Sequence, residues 1–129
     1  MTIDDPDTKA AVEAAFADYE RALVSNDVEA LNRFFLPSEC AIRYGAAENL
    51  YGHEAINAFR AARSPAGLAR RLEGTRIVTF GRDFAIAATL FRRETAPGKI
   101  GRQMQTWVRV AGGWRIVAAH VSVIDDPSA

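Results

Sequence analysis

Near residue 70 the spacing of apolar side chains in this 129-residue chain changes from three or four to two, and it does not change back. Apolar residues recurring every 3.6 positions line one face of a helix, whereas strict alternation lines one face of a strand. That single switch therefore divides the chain into a helical first half and an extended second half. In the second half, residues 70–80, 84–93, 100–110 and 114–124 are separated by Gly81-Arg82-Asp83, Ala96-Pro97-Gly98 and Ala111-Gly112-Gly113. Short connections of this kind join antiparallel neighbours, so the four segments read as a meander. Helices grouped ahead of the strands predict an α+β fold with the helices on one face of a curved antiparallel sheet.

The first half supplies those helices. Asp5 before Pro6 is a helix start, because the carboxylate accepts from free amides and proline at the first position forfeits no hydrogen bond. Val12, Ala15, Phe16, Tyr19 and Leu23 then fall on one face of a helix reaching about residue 25. Asn26 or Asp27 caps a shorter helix with Val28, Leu31, Phe34 and Phe35 on its apolar side. Residues 41–44 and 48–51 read as short strands around Gly45. A third helix over residues 53–63 buries Ile56 and Phe59, with Arg60 and Arg63 nearby. At this length the whole of residues 1–129 suits one domain, since single cores commonly hold roughly 50 to 200 residues.

Sixteen basic side chains balance sixteen acidic ones, so no net field draws the protein to nucleic acid or to an anionic membrane. Cys40 is the one cysteine, which excludes an intrachain disulfide. The acidic start of the chain has no apolar core segment and does not read as a signal peptide. No apolar run approaches the ~20 residues of a membrane helix, and a cytoplasmic location is the expectation. All but Lys9 and Lys99 of the basic residues are arginine. Either genomic composition or carboxylate recognition accounts for that bias, since a guanidinium grips a carboxylate with two parallel donors.

Candidate site residues follow from placement. Tyr19 lies on the buried stripe of the first helix, where its hydroxyl needs a partner. Arg43 sits in the first short strand; turned inward, it needs a carboxylate, either Glu48 or a ligand anion. His120 and Ser122 share a face of the last strand with Trp114 and Ile116. Arg102 joins them by parity across the Ala111-Gly112-Gly113 connection, which leaves Gln103 and Gln105 on the other face unless a bulge reverses the count. Val117, Ala119, Val121 and Val123 then form an apolar strip away from the helices, and its covering by a second copy predicts a homodimer or higher homo-oligomer. His53, His120 and scattered acids lack metal-ligand spacing, and no glycine-rich phosphate loop or nucleophile elbow occurs, so no metal or cofactor is expected.

Several motifs together resemble one family. They are Phe16 to Tyr19, Asn26-Asp27, Arg43-Tyr44-Gly45 with Glu48 and Gly52, Phe59-Arg60-Ala61-Ala62-Arg63, Gly101 to Trp107, Gly113-Trp114-Arg115-Ile116 and Ala119-His120-Val121-Ser122. The chain resembles the AtzH-like proteins of the NTF2-like superfamily, in which three helices and a curved sheet form a cone around one pocket. The resemblance implies a small cofactor-free enzyme acting beside an amidase in bacterial nitrogen scavenging, at the step from 1,3-dicarboxyurea to allophanate or on related ureido acids such as oxalurate. It further implies that Tyr19 and Arg43 are catalytic; Arg63, Arg102, His120 and Ser122 are the candidate substrate contacts by placement alone, with a core or interface role for His120 left open. Tyr19 would donate a proton to the departing nitrogen or activate water. A ketosteroid-isomerase-like enzyme and a non-catalytic assembly module are the alternatives on this fold.

Overall fold

A computed structural model describes residues 1–128. Helix α1 spans Pro6–Val24 and is capped by Asp5, whose Oδ2 accepts from the Thr8 backbone amide at 3.1 Å and from its hydroxyl at 2.8 Å. Helix α2, Val28–Phe34, starts at Asp27, whose Oδ1 accepts from the Ala30 amide at 3.2 Å. Two short strands follow, β1 (Ile42–Tyr44) and β2 (Asn49–Tyr51), and then helix α3, His53–Ala62. The chain closes with β3 (Arg71–Phe80), β4 (Phe84–Arg92), β5 (Lys99–Val110) and β6 (Gly113–Asp125). No helix is long and apolar enough to cross a membrane.

The six strands form one curved, unclosed sheet in the order β2-β1-β6-β5-β4-β3. The meander β3 to β6 is antiparallel as expected; β1 extends it by pairing parallel with β6, which makes the sheet mixed. Its concave face packs on the helices through Val12, Phe16, Tyr19, Leu31, Phe35, Ile56, Trp107 and Ile116, all buried. Burying a side chain of this size contributes on the order of 1.5 to 3 kcal/mol, so this layer supplies most of the driving force for closing helices on sheet.

One irregularity decides which residues face that layer. In β6 the partner of Thr106 is Ala118 and the partner of Trp107 is Ile116, so Val117 is an extra residue. Because side chains alternate with period two, one inserted residue exchanges the two faces for the rest of the strand. Trp114 and Ile116 point to the helices before the bulge, and Ala119, Val121 and Val123 line the cavity after it. Of the apolar strip expected on the outer face, Ala119, Val121 and Val123 are therefore on the cavity side, and Val117 is the bulge itself. The outer face carries a different apolar set, with Phe84, Ile86, Leu90 and Met104 all exposed.

Candidate active site

A cavity of about 390 Å³ lies between α1, α3 and the sheet. Tyr19 reaches it from the fourth turn of α1. Its ring is held edge-on by Phe34 at 5.8 Å and Trp107 at 6.3 Å, with Phe35 tilted beside it at 6.4 Å. Three aromatic neighbours leave the phenol one direction to point, and there its Oη accepts from Arg60 Nη2 at 2.9 Å. Burial pushes the Tyr19 phenol up, but the charges of Arg60, Arg43 and Arg70 together with that hydrogen bond outweigh it and hold the phenol below its ordinary value.

Arg43 enters from β1, opposite Ala119 of β6. Its Nη1 donates to Glu48 Oε1 at 2.7 Å, and its guanidinium lies 5.2 Å over the Phe59 ring. Both Glu48 and Arg43 line the cavity, so the ion pair that the sequence left open with a ligand is present, and the cavity borders the same guanidinium. Gly45 is required for this arrangement, since a Cβ there would occupy the Glu48 carboxylate.

The far wall holds Arg70, Arg93 and Gln103. Arg70 donates from Nε and Nη2 to the two oxygens of Glu20 at 2.9 and 2.6 Å, and from Nη2 to Gln103 Oε1 at 3.0 Å. Arg70 and Arg93 both pack on the Phe91 ring, at 4.5 and 4.8 Å. Phe91 can lie there because residue 101 is glycine; a Cβ at Gly101 would collide with the ring. Burial lowers the basicity of Arg63 and Arg93, and neighbouring arginines lower it further.

The cavity is thus lined by Arg43, Arg63, Arg70 and Arg93 against one carboxylate, Glu48. Several of its donors meet no acceptor of the chain: Nε and Nη2 of Arg63, Nε of Arg93 and Nε2 of Gln103. Such a set of unsatisfied donors on residues around the cavity suits an anion with acceptors on more than one side.

Of the residues singled out from sequence, Tyr19, Arg43 and Arg63 come together in this cavity. Arg102, His120 and Ser122 do not. Arg102 pairs with Ser122 and Met104 with His120 on the convex face, where Arg102 Nε donates to Ser122 Oγ at 3.1 Å. The expected kinship of Arg102 with His120 holds, but the Val117 bulge turns both away from the cavity. Gln103 and Gln105 line it instead. Sequence reasoning missed Arg60, Arg70 and Arg93 as site residues. The arginine bias was their signal, but it carried no position.

A helical layer against a curved open sheet, with a polar cavity between them, defines an NTF2-like domain of the cystatin-like fold. The AtzH-like family profile matches residues 1–127, and the chain belongs to that family. It is similar to a Pectobacterium atrosepticum protein of unknown function, at 54% identity over 95% of each chain with a TM-score of 0.93. A cystatin-like fold protein from Burkholderia xenovorans is similar at 50% identity, over 98% of this chain and 99% of that one, with a TM-score of 0.94. An NTF2-like protein of unknown function from Pseudomonas putida shares the fold at 16% identity, over 90% of this chain and 86% of that one, with a TM-score of 0.75. No curated protein matches the chain in sequence.

Proposed function

We propose that this protein is an enzyme of ureido-carboxylate catabolism that removes an N-carboxyl group from 1,3-dicarboxyurea to leave allophanate. The observation that carries the reading is the excess of arginine over carboxylate around the Tyr19 hydroxyl: Arg43, Arg63, Arg70 and Arg93 line the cavity with Glu48. A small dianion with a carboxylate at each end of a planar urea matches donors converging from opposite walls. Arg43 grips one carboxylate and fixes the orientation, while Arg63, Arg93 and the Gln103 amide take the acceptors at the other end.

The proton count defines what Tyr19 does. Decarboxylation breaks the bond between nitrogen and the terminal carboxyl carbon; carbon dioxide leaves, and the nitrogen takes one proton, which Tyr19 Oη donates and recovers from solvent. In the hydrolytic version Tyr19 removes a proton from water, the hydroxide adds to the same carbon, and bicarbonate departs as the nitrogen is protonated. A ketosteroid-isomerase-like reaction needs a carboxylate base facing the tyrosine. Here Glu48 is committed to Arg43 and Glu20 to Arg70, and the remaining neighbours of Tyr19 are cationic or aromatic.

A second copy covering the exposed Phe84, Ile86, Leu90 and Met104, and a functional partnership with an amidase, belong to the same proposal. The deciding experiment offers 1,3-dicarboxyurea and oxalurate separately to purified protein and identifies the products. Allophanate from the first supports the reading; unchanged 1,3-dicarboxyurea overturns it.

A further inference from the structure

Arg60 poses a problem of charge balance that the anion cavity does not solve. Its side chain is fully buried and does not line the cavity, so a bound substrate cannot reach it. Among the described residues no carboxylate forms an ion pair with it, in contrast to Arg43 with Glu48 and Arg70 with Glu20. Its Nε and Nη1 meet no acceptor of the chain. Its guanidinium lies against the rings of Phe35 at 5.0 Å and Tyr19 at 5.7 Å, and its one hydrogen bond goes from Nη2 to Tyr19 Oη.

A guanidinium keeps its charge under all ordinary conditions, and a buried charge without an opposite one is strongly unfavourable. The one atom in contact with Arg60 that can become negative is the Tyr19 oxygen. We propose that Arg60 is a positioning residue acting through Tyr19: it is the buried counter-ion of the Tyr19 phenolate, held against Oη by its one hydrogen bond. The inference rests on Tyr19 as the proton-transferring group of the proposed reaction.

The surroundings of Tyr19 agree from every side. Helix α3 and its end present Arg60 and Arg63, β1 presents Arg43, and Arg70 approaches from just before β3. Helix α2 offers Phe34 and Phe35, and β5 offers Trp107, all uncharged. The nearest acids, Glu48 and Glu20, are held by Arg43 and Arg70. When Oη gives its proton to the departing nitrogen, the phenolate forms beside Arg60 and solvent restores the proton; when Oη takes a proton from water, the phenolate beside Arg60 is the starting form and the proton passes on to the nitrogen.

The test is a tyrosine titration followed by the tyrosinate absorbance band, which needs no substrate. The chain has three tyrosines, and Tyr51 is raised by its hydrogen bond with Tyr44. The step that vanishes in Tyr19→Phe should lie below the ordinary phenol value. In Arg60→Gln the step should move up by roughly 1 to 3 pH units, and the pH profile of kcat/KM should move with it. A Tyr19 step at or above the ordinary phenol value in the wild type, or one that does not move in Arg60→Gln, would overturn the proposal. Should Arg60→Gln fail to fold, the double variant Tyr19→Phe/Arg60→Met decides. It should melt higher than Tyr19→Phe alone, which leaves Arg60 buried without its partner. A single variant as stable as the wild type would again refute the pairing. A low Tyr19 step together with no product from 1,3-dicarboxyurea would instead refute the substrate reading and leave the Arg60 pairing intact.

Discussion

Replacing Glu20 with glutamine removes the carboxylate from Arg70 while changing almost nothing in size. The Arg70 side chain is 1% exposed and that of Glu20 is 16% exposed, so the pair is largely desolvated. Breaking such a pair by neutralising one partner costs about 3 to 5 kcal/mol, because the remaining charge stays buried. Two features move the expectation to the lower end. The new amide oxygen still accepts one bond, and Arg70 keeps Gln103 Oε1 at 3.0 Å and the Phe91 ring at 4.5 Å. A loss of about 3 kcal/mol in a domain of this size lowers Tm by roughly 12 °C. Thermal and urea unfolding of both proteins at neutral pH measure it. A loss below about 1 kcal/mol, the ordinary worth of an exposed ion pair, would refute the claim that the Arg70–Glu20 pair is desolvated. The same variant tests the anion site, since Arg70 lines the cavity. A carboxylate ligand such as oxalurate should raise the Tm of Glu20→Gln by more than that of the wild type.

Arg43→Lys keeps the charge but not the planar fork, and we expect kcat/KM toward 1,3-dicarboxyurea to fall by about 10²-fold or more while Tm changes little; near-normal turnover would reduce Arg43 to a merely electrostatic role. Met104→Glu places a charge at the centre of the exposed apolar face, where Met104 is 55% exposed, and should convert a dimer to monomer in sedimentation at micromolar concentration; a wild type that already sediments as a monomer would remove the basis for a second copy. Asp126 accepts from the Ser128 amide and from Arg92, which hold its carboxyl down at about 2. A depressed carboxyl stabilises the fold fully above its unfolded value and loses that contribution as pH falls through the folded one. Asp126→Asn should therefore show a Tm deficit that is constant down to about pH 4 and closes toward about pH 2; a deficit that persists at pH 2 would mean that packing, not charge, is what the substitution disturbs.

What the sequence determined by itself is local. The change of period at residue 70, the Asp5-Pro6 and Asp27 caps and the glycine-bearing connections place every element within about two residues of its position, because each signal acts over one or two turns of chain. Tyr19 on the buried stripe of α1 and Arg43 in β1 were legible for the same reason. The faces of β6 were not. Alternation extrapolates through Val117, whereas pairing with β5 makes Val117 a bulge, so that His120, Ser122 and Arg102 turn outward and Ala119, Val121 and Val123 turn in. Arg60 was invisible as a site residue: four positions from Ile56 it shares the buried face of the helix, but a charge there has no reading until its partner is known. That partner lies 41 residues away in the chain. Arg70 and Arg93 likewise meet on Phe91 only once β3 and β4 have paired. Strand register and the balance of buried charge are sums over distant neighbours, and only the tertiary structure brings those neighbours together.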